Sequence, residues 1–139
     1  MRTTAYPRIA LASAFLLTLI SPALQAQNAS PPDPKNVPVI DGGIGPCVAD
    51  FTVTDAAGSP VYDAKIRVHI AYRFMSFHKL DLEVGTNAAG KARFTGLPDK
   101  TKEGLRFHAS EGSREGSAFD DPAKTCNARL TVVLEKTKE

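Results

Sequence analysis

From residue 48 onward, apolar and polar side chains alternate in short runs broken by Gly, Pro, Asn and Asp. A period of two belongs to a strand with one buried and one wet face, because successive strand side chains point to opposite sides. Strand one is expected over Val48–Thr54, with Ala49, Phe51 and Val53 inward, and the turn 55–60 (DAAGSP) ends it. Strand two is expected over Ala64–Arg73. Its Ile66, Val68, Ile70 and Tyr72 face one way, and Lys65, Arg67, His69 and Arg73 the other. Leu80, Leu82 and Val84 alternate with Asp81 and Glu83 in a third strand. Past the turn 87–90 (NAAG), Lys91–Thr95 returns with Ala92 and Phe94 inward. Leu105, Phe107 and Ala109 mark another strand, with Arg106 and His108 outward, and a weak strand is expected near Ser117–Phe119. The last runs over Cys126–Glu135, with Ala128, Leu130, Val132 and Leu134 inward. No segment sustains a 3.6-residue period. The pattern predicts an all-β domain over residues 47–139, and six or seven strands in this length fit a two-sheet sandwich.

The chain ahead of that domain reads differently. Residues 1–26 have the layout of a secretory signal peptide: Arg2 and Arg8 with no acid, then twelve apolar-rich residues, Ile9–Ile20, then Pro22. Small residues offer cleavage after Ala26 or after Ala23. An uncleaved anchor is the alternative, although a bilayer needs roughly 20 apolar residues. Residues 27–46 hold five prolines and three glycines and are expected to form a flexible linker. Asn28-Ala29-Ser30 is a glycosylation sequon, relevant only in a eukaryotic secretory pathway. The protein is therefore expected to be exported, periplasmic or secreted, with no membrane insertion after cleavage.

Charge changes the picture once the leader is set aside. The chain has 17 Lys and Arg against 15 Asp and Glu, and two of the arginines lie in the leader. The remainder is neutral overall, which excludes a strongly basic nucleic-acid binder. The two cysteines, Cys47 and Cys126, share the inward parity of their strands, and export would expose them to oxidising conditions. A disulfide between them would close a loop of about 80 residues and destabilise the unfolded chain by roughly 4–5 kcal/mol. Two free buried thiols, or a redox or metal pair, are the alternatives. A redox pair is normally close in sequence, as in Cys-x-x-Cys.

Two stretches carry a family resemblance. Residues 53–66 (VTDAAGSPVYDAKI) resemble the opening of carboxypeptidase regulatory-like domains, with their Asp-x-x-Gly-x-Pro-Val turn. Residues 86–98 (TNAAGKARFTGLP) resemble that family's second signature, a Thr-Asp-x-x-Gly turn leading to a strand that ends at Leu-Pro. The resemblance implies a prealbumin-like, transthyretin-like sandwich of seven strands. It does not imply peptidase activity, since in the namesake enzymes this domain is an accessory to a separate catalytic one.

Candidate chemistry is sparse. His108-Ala109-Ser110-Glu111 matches the His-x-x-Glu opening of a metallocarboxypeptidase zinc site, but no later His completes the set. On a strand, an offset of three also puts His108 and Glu111 on opposite faces. His69 and His108 would form a weak metal or pH-sensitive pair if adjacent. Residues 111–117 (EGSREGS) read as a flexible charged loop, without the Gly-x-Ser-x-Gly elbow that would position a nucleophile. No catalytic residue, metal site or cofactor is assigned.

The densest feature is Tyr72, Arg73, Phe74, Phe77, His78 and Lys79, where aromatic and basic or titratable residues meet between strands two and three. These residues would form a binding surface for a sugar ring or a protein strand. Alternatively, strand two continues and they cover one end of the core. The expected function is that of a non-catalytic module binding a protein or polysaccharide partner of the cell envelope or medium. The alternatives are a structural subunit of an envelope complex, or a small hydrolase using His108 and Glu111.

Overall fold

The computed structural model describes residues 35–72 and 78–138. The expected signal peptide, Asn28, and Arg73, Phe74 and Phe77 of the expected surface lie outside the described residues. Those described form strands and turns, with no helix among them.

Eight strands follow in chain order: β1 Val39–Asp41, β2 Cys47–Asp55, β3 Lys65–Tyr72, β4 His78–Gly85, β5 Lys91–Leu97, β6 Leu105–Glu111, β7 Arg114–Asp120 and β8 Asn127–Lys136. They hydrogen-bond in the order β1-β5-β2-β8-β7-β6-β3-β4. The sheet is mixed: β1 runs parallel to β5 and β2 parallel to β8, while the other pairs are antiparallel. Strand β1 also lies against β4, so the sheet curls almost into a barrel. The seam between β7 and β8 is narrow, with register only at Arg114–Lys136 and Glu115–Glu135.

The all-β class follows from the alternation, but the strand count and two local expectations change. The expected linker 27–46 contains β1, which pairs Val39 with Arg93 and Asp41 with Thr95. Pro38 precedes the strand, where its missing N–H is not needed, and its carbonyl accepts from the Arg93 amide at 2.9 Å. Gly96 permits this docking. It has φ +62, and a Cβ there would collide with Asp41 Oδ1 and the Gly43 backbone. The segment 111–117, expected as a loop, instead forms the hairpin from β6 into β7, with Glu111 opposite Arg114.

The core gathers the inward parity of both halves. Phe51 of β2, Phe94 of β5 and Phe107 of β6 meet with ring centroids 4.7–5.5 Å apart, tilted or edge to face. Ile66, Ile70, Val53, Val132 and Leu134 are fully buried around them. Cys47 and Cys126 are bonded to each other, joining the entry of β2 to the residue before β8. They sit where eight consecutive register pairs hold β2 against β8. The turn 87–90 is built by Asn87, whose Oδ1 accepts from the amides of Ala89 (3.0 Å) and Lys91 (2.8 Å). Gly90, at φ +71, closes it against the Val53 carbonyl, where no side chain fits.

Candidate functional site

With Phe51, Ala92, Ala128 and Val132 turned inward, the even-numbered positions of β2, Lys91 and Arg93 of β5, and the odd-numbered positions of β8 face outward. Register stacks these positions into two lateral rows. One row is Val39, Arg93, Asp50 and Arg129, from β1, β5, β2 and β8. The neighbouring row is Lys91, Thr52 and Thr131. Strands lie about 4.8 Å apart, so each row places its outer side chains roughly 10–15 Å from one another. Between them lies a groove of about 580 Å³.

One rim is the segment 35–39, with Lys35, Val37 and Val39 facing the groove. It is held by the Arg93–Pro38 bond, by β1, and by Asn87 Nδ2 donating to the Asn36 carbonyl at 3.1 Å. Val39 is 57% exposed, so the wall is apolar and open.

The groove is cationic. Among the described residues, Lys35, Lys91, Arg93 and Arg129 line it with one acid, Asp50. Arg93 grips that acid with two bonds, Nε to Oδ1 at 2.5 Å and Nη2 to Oδ2 at 3.0 Å. The hydrogen bond to Asp50, and then its charge, raises the Arg93 pKa further. Lys91 Nζ donates to the neutral Thr52 Oγ1 at 2.6 Å. Arg129, across Asp50 from Arg93, has no ion pair among the described residues. Such a face concentrates positive charge and has an acceptor and hydroxyls in its floor.

The residues expected to form a site are placed elsewhere. Tyr72 ends β3 half-buried, paired with His78 at the start of β4, with ring centroids 5.6 Å apart. Lys79 is exposed opposite Ala71. Arg73, Phe74 and Phe77 are outside the described residues, so the expected surface is only partly on view.

His108 lies on the wet face of β6 opposite Arg67, whereas Glu111 takes the parity of Phe107 and Ala109. Glu111 is engaged by Arg114, with Nε and Nη2 at 3.0 and 2.5 Å. The two residues of the His-x-x-Glu match therefore do not converge. His69 turns to Asp81 of β4, Nδ1 to Oδ1 at 2.5 Å, rather than to His108. Among the described residues no group of three or more His, Cys, Asp or Glu is placed to hold a metal ion.

Sequence reasoning missed the groove because its cations come from distant points in the chain. Lys91-x-Arg93 and Arg129 were visible as outward positions, but only the register of β5, β2 and β8 brings them together.

No protein-family model matches the chain, and no curated protein matches it. Among solved structures, it is similar to 3-chlorocatechol 1,2-dioxygenase from Rhodococcus opacus 1CP, at 14% identity and TM-score 0.46 over 79% of this chain and 68% of that one. It is similar to chlorocatechol 1,2-dioxygenase from Pseudomonas putida at 14% and 0.45, over 73% and 68%. It is also similar to catechol 1,2-dioxygenase from Acinetobacter radioresistens at 16% and 0.45, over 76% of this chain and 60% of that one. At these identities and scores the likeness assigns neither activity nor cofactor to this chain.

Proposed function

We propose that the protein is an exported, non-catalytic module that binds an anionic partner, polysaccharide or protein, of the cell envelope or medium. In this reading it is a carboxypeptidase regulatory-like domain. The halves β1-β5-β2-β8 and β7-β6-β3-β4 then serve as the two layers of a prealbumin-like sandwich joined at one seam. The observation that carries the reading is the groove over β5, β2 and β8, where Lys91, Arg93 and Arg129 stand with one acid, Asp50, among the described residues of those strands that line it. The separation of His108 from Glu111 favours binding over hydrolysis. One observation favours the alternative of a structural subunit: among the described residues β4 is hydrogen-bonded only to β3, and the three-residue β1 lies against only part of its other edge, which leaves the remainder for a partner strand.

The test is retention of the oxidised chain on immobilised polyanions, namely polygalacturonate, poly-L-glutamate and polyphosphate, at low salt. At least one should retain the chain. Retention should fall at least tenfold in the double variant Lys91→Glu, Arg129→Glu and be unchanged in Arg67→Ala. If none of the three retains the wild type, the anion-binding reading is wrong. Equal retention of the double variant would move the site away from this groove.

A further inference from the structure

Resting on the binding reading above, we infer that the groove takes a uronate polysaccharide, a chain of sugar rings carrying carboxylates. Four features point to this class over an acidic peptide. The first is Asp50. It sits in the middle of the cationic row, between Arg93 and Arg129. The side chains of an acidic peptide offer the row carboxylates only, and Asp50 repels them. A uronate ring offers a carboxylate and hydroxyls together, and its hydroxyls donate to an acid. Arg93 uses one lone pair on each Asp50 oxygen, and a carboxylate has about four acceptor positions.

The second feature is the neighbouring row. Thr52 places a hydroxyl beside Lys91 and Thr131 a second one beyond it on β8, so a position that holds a carboxylate lies in line with positions that hold hydroxyls. The third is the rim. Val37 and Val39 give one wall an exposed apolar surface, which matches the C–H face of a sugar ring. The fourth is what the floor lacks. Among the described residues, Phe51 is the one aromatic residue lining the groove, and it is buried beneath the floor. A neutral sugar that depends on stacking finds no exposed ring among the described residues of the groove, whereas charge is there to supply affinity.

The groove therefore reads the ligand with a division of labour. Lys91 and Arg129 are its carboxylate positions, neither of them ion-paired among the described residues. Asp50, fixed by Arg93, is its hydroxyl acceptor. This predicts a specificity that charge alone does not give.

The test compares three immobilised probes on the oxidised full chain: polygalacturonate, the same polymer fully methyl-esterified, and poly-L-glutamate. Polygalacturonate should bind at least tenfold more tightly than either of the others. Asp50→Ala should then raise poly-L-glutamate binding and lower the ratio of polygalacturonate to poly-L-glutamate affinity about tenfold. Thermal unfolding of the variant, matched to wild type, keeps the comparison valid, and Asp50→Asn serves if the alanine variant is unstable. If poly-L-glutamate binds as well as polygalacturonate, the uronate assignment is wrong while the anion-binding reading stands. Equal binding of the esterified polymer also overturns it, because the carboxylate is then unused. If no probe binds, the uronate assignment is wrong, and the anion-binding reading falls with it when polyphosphate also fails to retain the chain.

Discussion

The outer faces of the two halves of the sheet are built from the same alternation and handle charge in opposite ways. On β3, β4 and β6, Arg67 is paired with Glu83 and His69 with Asp81, each with the residue directly across the strand pair. Lys65 is held by Asp63, which raises its pKa through their hydrogen bond. Arg106 lies 5.9 Å over the Phe119 ring. On β5, β2 and β8 one acid serves the whole row, and Lys91 and Arg129 are left to hydroxyls and solvent. Cross-strand pairing of opposite charges is how a wet face neutralises itself. A face that declines this pairing keeps a field that can attract a partner.

The largest test of the difference between the halves is the staple, which only the grooved half carries. The double variant Cys47→Ser, Cys126→Ser should lose roughly 4–5 kcal/mol of stability in the chain-entropy model, measured by denaturant unfolding. Hydrogen exchange should show β2 and β8 losing more protection than β3 and β4. Equal loss in both halves would mean that the seam between β7 and β8 does not separate them.

A second test exchanges the character of the faces. Asp81→Asn with Glu83→Gln makes the outer face of β3 and β4 cationic, leaving Arg67 without its acid. If charge alone makes a site, this variant should gain a second polyanion affinity equal to the first. Because that face then holds no arginine-fixed carboxylate among its cations, the expected gain is weak and salt-sensitive, with an apparent affinity at least tenfold below that of the groove. The ion pairs themselves contribute little. A double-mutant cycle on Arg67 and Glu83 should give a coupling of about 0.2–1 kcal/mol, smaller still at high salt, since both side chains are exposed.

How much of this was legible follows the same division. The inward positions of β2, β3, β5, β6 and β8 were read from alternation, because burial of every second side chain is written locally. Strand β7 was only half legible, since its pattern is inverted. Its inward positions are Gly116, Ala118 and Asp120, and its outward Phe119 is 53% exposed. Gly116 is required because a Cβ there would press on the Val133 carbonyl and Val132 of the passing β8. Strand β1 was hidden inside a Pro- and Gly-rich stretch, and three residues are too few to show a period. The groove was not legible at all. Lys91, Arg93 and Arg129 fall on outward positions of strands far apart in the chain, and the parallel register of β2 with β8 that joins them is a long-range fact.

The smallest effect concerns an acid that the self-neutralising half leaves without a cation. Asp120 ends β7 on the inward side, 7% exposed, with no ion pair among the described residues. Burial, and then the neighbouring Asp121 charge, raises its pKa above the ordinary value of 3.8. A raised carboxyl pKa means that the folded chain holds the proton more tightly than the unfolded chain does. Its favourable contribution is therefore present below the ordinary value and lost as pH rises through the raised one. Asp120→Asn removes that loss. Wild type and variant should unfold alike near pH 3, and the variant should be slightly more stable at pH 7. Chemical denaturation at the two pH values decides it. A variant less stable at pH 7 would show that the ionised Asp120 has a favourable partner, and that this half neutralises its inward charge as well as its outward ones.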